Sequence, residues 1–164
     1  MAEITYERLT ELLSYDASNG LFTWKRDVRG GVKAGQRAGT KHKDGRIYIC
    51  IDCKRYFAHR LAWLYVNKSF PVHNIDHING INSDNRIENL RDITQQGNTE
   101  NIRKPKSTNK SGYLGVCWDK QRNLWIARVT KNGKAVYAGH YETPEHAHRA
   151  YLIIKRSIHE HCTI

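Results

Sequence analysis

Residues 75–103 read IDHINGINSDNRIENLRDITQQGNTENIR, and the order of polar groups in this stretch sets the reading of the whole chain. Asp76 and His77 are adjacent, and Asn89 and Asn98 follow at a distance. Residues 72–77 fit a short strand, and residues 78–91 a loop rich in Asn, Gly and Asp. Thr94 can cap a helix beginning near Gln95, which puts Asn98 in its first turns. A strand, a loop and a helix in this order bring a carboxylate, an imidazole and two amides within reach of one metal ion.

Hydrolysis of a phosphodiester needs an activated water, stabilisation of charge on the phosphate and help for the leaving oxygen. One hard divalent cation serves the last two. Such an ion takes oxygen ligands and keeps several waters, so Asp76 and the side-chain oxygen of Asn98 are a sufficient protein share. On a strand His77 points to the side opposite Asp76, towards the water rather than the ion. A neutral imidazole there suits a general base, worth roughly 10²–10⁴ in rate. Asn89, in the loop, can bridge backbone groups and so orient the imidazole. The same residues also admit a plainer reading, with Asp76 and His77 an ordinary exposed pair and Asn89 and Asn98 turn residues.

The composition points the same way. Lys and Arg number 27 against 16 Asp and Glu, a formal charge of +11 on 164 residues. An excess of this size favours a polyanionic partner, because each phosphate neutralised releases condensed counterions. Solubility or a membrane surface could use the charge too, but no amphipathic basic helix suits the latter. No stretch approaches a membrane span and the N-terminus lacks a signal-peptide core, so the expected location is the cytoplasm. Cys50 and Cys53 make half of a zinc site with no second CxxC to complete it. Two reduced cysteines on a hairpin are therefore expected in place of a structural zinc.

Working outward, Leu9, Leu12 and Leu13 have helical spacing within residues 5–15, and Asn19-Gly20 supplies a stop. Residues 21–24 read as a strand, residues 45–59 as a β-hairpin and residues 60–67 as a short apolar helix with Trp63 and Tyr65 in the core. The basic, Pro-containing run 102–111 reads as a linker. Residues 115–120, 124–131 and 135–141 then give three strands, with Asn132-Gly133 a strong hairpin turn. Thr143-Pro144-Glu145 starts a helix whose apolar face is Ala147, Ala150, Tyr151, Ile154 and Ile158. That face covers one side of the sheet and leaves the other free. His140, His146, His148, His159 and His161 read as surface residues of this part.

The stretch IDHINGINSDNRIENL with GNTENIR, preceded by HRLAWLYV, resembles the HNH (ββα-metal) nucleases, specifically the homing endonucleases of phages and introns. The separations of Asn89 and Asn98 from His77 match that family's pattern. The resemblance implies Asp76 and Asn98 as metal ligands, His77 as general base and Asn89 as the structural middle member. It also implies Mg²⁺, with Mn²⁺ suited to the same oxygen ligands. The run SGYLGVCWDKQRNLWIARVTKNGKAVYAGHYETPEHAHRAYLIIKRSIHE is similar to the plant APETALA/ethylene-response-factor DNA-binding domain. That domain lays a three-stranded sheet in the major groove, where all four base pairs are distinguishable. Leu114, Cys117 and Asp119 stand where the plant domains carry arginines, so a target sequence cannot be borrowed.

The expectation is an α+β chain: a β-rich N-terminal region and an HNH motif over residues 1–103, a linker over 104–110, and a three-stranded antiparallel sheet packed on one helix over 111–164. Its expected activity is metal-dependent cleavage of double-stranded DNA, as a monomer or weak dimer in a phage-infected or bacterial cell. Lys110, Lys120, Arg122, Arg128, Thr130 and Tyr137 are the expected DNA contacts of the sheet. His59 and Arg60 are further candidates, His59 being open to a structural role as well. Two rivals remain: a DNA-binding regulator or packaging accessory with a vestigial nuclease motif, and a zinc-stabilised structural protein.

Overall fold

A computed structural model describes residues 3–160 and 162–164. The chain is α+β and divides into two compact units, Met1–Thr94 and Gln95–Ile164. The stretch 95–103, read from sequence as the tail of the first domain, bonds within the second unit. Gln96 donates to Asn132 Oδ1 at 2.7 Å, Lys155 Nζ donates to the Ile102 carbonyl at 2.8 Å, and Arg103 donates to the Thr163 hydroxyl.

In the first unit, Thr5 caps helix α1 (Tyr6–Leu12) by accepting from the Arg8 amide at 3.2 Å. The helix expected to reach residue 15 ends earlier, because strand β1 (Leu13–Asp16) pairs antiparallel with β2 (Leu21–Trp24). That ladder buries Leu13 against Phe22 and Trp24, a gain that another helical turn would forgo. Asn19-Gly20 therefore closes a hairpin. Gly20 has φ +73°, and a Cβ there would lie 2.4 Å from the Arg86 amide nitrogen. Strand β3 (Arg37–Ala38) extends this sheet.

A second sheet orders β4 (Thr40–Lys41), β5 (Ile47–Ile51) and β6 (Lys54–Phe57). Asp52 and Cys53, at φ +49° and +63°, form the two-residue turn that matches the twist of the hairpin. Ile47, Ile49 and Ile51 alternate inward, and Tyr48 and Cys50 lie on the other face. Helix α2 (Ala58–Asn67) seals the core with Leu61, Ala62 and Leu64, and Trp63 and Tyr65 pack against it.

The ribbon that carries the motif is two-stranded. β7 (Asn74–His77) pairs antiparallel with β8 (Leu90–Ile93), setting Asp76 opposite Arg91 and His77 opposite Leu90. A 3₁₀ turn at Ile87–Asn89 leads into β8, so the expected loop 78–91 is shorter than its reading. The segment LRDI shows no period-two signal, since Leu90 and Ile93 are buried and the two residues between them are not. Its pairing is fixed instead by Asp92, which accepts from the Val72 and His73 amides at 2.8 and 2.9 Å.

The second unit opens with α3 (Gln95–Glu100). It continues with a sheet ordered β11 (Lys134–Tyr141), β10 (Leu124–Lys131), β9 (Val116–Asp119). Asn132 and Gly133 have φ +51° and +74°, the expected turn. A bulge shifts the register so that Ala127 faces Gly139 but Arg128 faces Tyr137. Helix α4 (Pro144–Ile158), capped by Thr143, covers Val116, Ala127 and Val129 with Ala147 and Tyr151. Lys155 also joins that face: it is 2% exposed and burial lowers its pKa. Two of the supposed surface histidines are structural. His148 Nδ1 lies 3.0 Å from the Leu114 carbonyl, and buried His159 places Nε2 3.0 Å from that of Thr130. His161 lies outside the described residues, among which no helix is long and apolar enough to cross a membrane.

Gly115 tests this packing. It has φ +71°, and an added Cβ would fall 1.9 Å from Tyr151 Cδ2. Gly115→Ala combines overpacking with a left-handed backbone and is expected to cost about 2–4 kcal/mol. Urea unfolding of the full chain, followed by tryptophan fluorescence, reads this loss. An unchanged midpoint would show that the ring does not sit against residue 115.

Candidate active site

Asp76 and His77 end β7 with side chains on opposite faces, as alternation requires. Asp76 faces Arg91 across the ribbon, and Arg91 Nε and Nη2 donate to its Oδ2 at 3.0 and 2.8 Å. The pair is half-shielded, with side chains 13% and 21% exposed. His77 turns inward and is 5% exposed. Its Nε2 lies 3.2 Å from Asn85 Oδ1. An amide oxygen only accepts, so Nε2 carries the proton and Nδ1 keeps the lone pair. Burial lowers the His77 pKa, against the upward pull of the Asn85 bond and the Asp76 charge. The imidazole is therefore neutral at pH 7, with its one basic atom defined.

Asn89 is buried in the loop and uses both ends of its amide. Oδ1 accepts from the Asn79 N–H at 2.9 Å and Nδ2 donates to the Asp84 carbonyl at 2.8 Å. Asn79 Nδ2 donates to Asp84 Oδ2 at 2.7 Å, and Arg86 grips the same carboxylate through Nε and Nη2. Held first by Arg86, Asp84 has its pKa lowered to about 2. Sequence reasoning missed Asn79, Asp84 and Asn85. The signal was the density of Asn and Asp between the two strands, which marks side chains that bond their own loop.

His59, expected as a DNA contact or a structural group, is structural. It is 8% exposed, stacks on Phe57 at 5.1 Å between ring centroids and meets His77 edge-on at 5.2 Å. Burial first, then the proximity of His77, Arg46 and Arg60, drives its pKa down to about 3. A buried neutral ring offers no charge to a phosphate. Arg60 lies over the Phe70 ring at 5.3 Å and 3.7 Å from Glu3, one-third exposed. Asn98 belongs to α3 in the second unit, where it is half-buried.

On the sheet of the second unit, Arg128, Thr130 and Tyr137 are exposed on the face away from α4, with Arg128 directly opposite Tyr137. Tyr137 is 64% exposed. Lys110, Lys120 and Arg122 are exposed in the flanking segments, and Arg122 Nη1 donates to Asp119 Oδ2 at 3.1 Å. Cys50 and Cys53 are exposed free thiols at the β5–β6 turn.

Comparison with known proteins adds two domains to this geometry. The family model for HNH endonucleases matches residues 56–100, and the AP2 domain model matches residues 111–161. Protein 3.8 of Escherichia phage T7 is 38% identical over 77 residues, which is 46% of this chain and 63% of that protein. The match thus spans less than two thirds of that relative. No solved structure matches.

The paired buried histidines carry a pH consequence. A histidine held neutral by the fold stabilises it fully above its unfolded pKa near 6.5, and the stability drains as pH falls towards the folded value, about 3 for His59. Each such group costs up to ~1.4 kcal/mol per pH unit in that window. Unfolding free energy is expected to fall steeply below pH 6, and His59→Phe, which keeps the stacked ring, is expected to flatten the slope. Equal slopes for both chains would remove His59 from this role.

Proposed function

From a chain that pairs an HNH endonuclease domain with an AP2 domain, we infer a metal-dependent endonuclease that hydrolyses phosphodiester bonds in double-stranded DNA. The observation that carries the reading is His77, whose Nε2–H is anchored by Asn85 so that Nδ1 is left basic. In this reading Nδ1 takes the proton of the attacking water. The resulting imidazolium keeps its Nε2–H bond to Asn85 Oδ1, which stabilises the charge as it forms. Asn89 fixes the loop from which Asn85 reaches the ring.

The donors proposed for the ion are the Asp76 carboxylate and the Asn98 amide oxygen. These are the oxygen ligands that a hard cation accepts while leaving most of its shell to water. Arg91 Nε and Nη2 both donate to Oδ2 of Asp76. Bound Mg²⁺ or Mn²⁺ would supply charge neutralisation at the scissile phosphate and the leaving oxygen. The exposed face of the β9–β10–β11 sheet would read the duplex through Arg128 and Tyr137. The likeness to a phage protein supports an infected bacterial cell as the setting of this activity.

The Asp76–Arg91 pair also favours a second reading, a DNA-binding regulator whose motif no longer takes a metal. Plasmid nicking separates the two. Wild-type protein is expected to nick with Mg²⁺ and not with EDTA, His77→Ala to lose about 10²–10⁴ in rate while keeping its affinity for duplex, and Asp76→Ala to lose activity likewise. Metal-independent or unaltered turnover refutes these roles. Arg128→Ala with Tyr137→Ala is expected to weaken duplex binding about tenfold or more while leaving turnover at saturating DNA unchanged. Unchanged affinity would mean that another face reads the duplex.

A further inference from the structure

A row of rings runs across the first unit to the His77 imidazole. His42 and Tyr48 are 5.4 Å apart between centroids, Tyr48 and Phe57 4.4 Å, Phe57 and His59 5.1 Å, and His59 and His77 5.2 Å. The register puts Thr40, Tyr48 and Phe57 side by side on the outward face of the β4–β5–β6 sheet, and Cys50 beside Arg55. Arg46 lies over the Phe57 ring at 5.5 Å. A groove of about 540 Å³ opens on this face, lined by Thr40, Lys41, His42, Tyr48, Cys50 and Arg55. Through Thr40, Tyr48 and Cys50 it continues into a depression of about 800 Å³ that Arg29 and Arg37 border. Among the described residues, Lys41, Arg55, Arg29 and Arg37 make no ion pair, whereas Arg8, Arg26, Arg86 and Arg91 of the same unit are each held by a carboxylate. Lys41, Arg55, Arg29 and Arg37 thus border this aromatic face without a carboxylate partner, beside Arg8 and Arg26, which line the same depression in ion pairs.

We propose that the outward face of β4–β5–β6 is a binding track for an unpaired stretch of DNA strand, with a base stacked on Tyr48 and phosphates on Lys41 and Arg55. Charge complementarity commits the occupant to a polyanion, and the ring in the floor commits it to one with open base faces. A duplex hides those faces within its own stack, so aromatic flooring adds nothing to its binding; an unstacked strand gains ~1–3 kcal/mol per base. The row of rings packs this surface, through buried His59, against the proposed catalytic imidazole. A strand peeled from the duplex near the cut would lie here while the second unit holds paired DNA. The proposal rests on the nuclease reading for its purpose, but not for its measurement.

The test is fluorescence anisotropy of the full chain in EDTA with a short single-stranded oligonucleotide and, separately, its duplex. Tyr48→Leu is expected to weaken single-strand binding about tenfold, Arg55→Glu to weaken it comparably, and Tyr48→Phe, which keeps the ring, to preserve it. Duplex affinity is expected to move far less in all three. Loss of no single-strand affinity in either Tyr48→Leu or Arg55→Glu overturns the proposal. An equal loss on duplex also overturns it, by making the face an ordinary duplex contact. If Tyr48→Leu unfolds, exposed Arg55→Glu together with Tyr48→Phe still decides the matter. Failure of the nuclease reading would show separately, as absent Mg²⁺-dependent nicking with single-strand binding intact.

Discussion

Asn89 grips the chain between β7 and β8 at two backbone points, the Asn79 N–H and the Asp84 carbonyl. An amide buried with both ends engaged has no cheap substitute: a carboxylate lacks the donor, an alkyl chain lacks both groups, and each orphaned partner costs about 1–3 kcal/mol. Because this grip closes the loop, Asn85 is brought against His77. Asn85 is pinned from a second side, where the Tyr15 hydroxyl donates to its carbonyl at 2.7 Å. Burial raises the Tyr15 pKa to about 12, which keeps it a donor across any working pH. Gly20 lets the β1–β2 turn approach the backbone at Asn85 and Arg86 more closely than a side chain would permit. The orientation of one imidazole is thus inherited from a hairpin far away in sequence.

A chain of charge +11 has to keep its proposed base uncharged, and the two requirements conflict only if they share a location. Long-range attraction to any polyanion comes from the summed field of exposed Lys and Arg, which burial of a single ring hardly disturbs. The His77 pKa, by contrast, is set within a few ångströms: burial lowers it, and Arg46 adds to that, while Asp76 and Asp84 pull upward. Arg86 neutralises Asp84 and Arg91 neutralises Asp76, which weakens that upward pull. The local ion pairs therefore serve the same end as burial.

The elements that announce themselves by period or turn chemistry were legible in the sequence. Three strands, the Asn132-Gly133 turn and the capped helix α4 of the second unit follow their expected positions closely. The residues Asp76, His77, Asn89 and Asn98 stood out for their chemistry, and the fold gathers the first three around one ribbon. What was not legible depends on partners remote in sequence. Leu13 leaves helix α1 because Trp24 awaits it, and β8 exists because Asp92 and Arg91 bond back to β7 and the chain before it. His59, beside Arg60, left a phosphate contact and a structural role both open, since nothing local tells that Phe57 and His77 enclose it. Lys155 and His159 were hidden for the same reason: each is a polar residue buried against a single distant carbonyl.

Asp119 bears on how the second unit, in the proposed reading, would divide holding DNA from reading it. A carboxylate on a DNA-facing sheet could accept from a cytosine amine. Here its oxygens are already used: Oδ1 accepts from the Gln121 amide at 2.9 Å, and Oδ2 meets Arg122 Nη1 at 3.1 Å and His140 Nε2 at 3.3 Å. Burial raises its pKa, but these bonds prevail and keep it ionised. Its work is to shape the β9–β10 turn, and it spends part of the Arg122 charge in doing so. In the proposed reading, base discrimination would then fall to the exposed patch of Arg128, Tyr137 and Thr130, where one cation sits among neutral groups. Such a patch would discriminate more than it attracts, so in that reading most of the affinity, and most of its salt dependence, would come from lysines and arginines elsewhere on the chain.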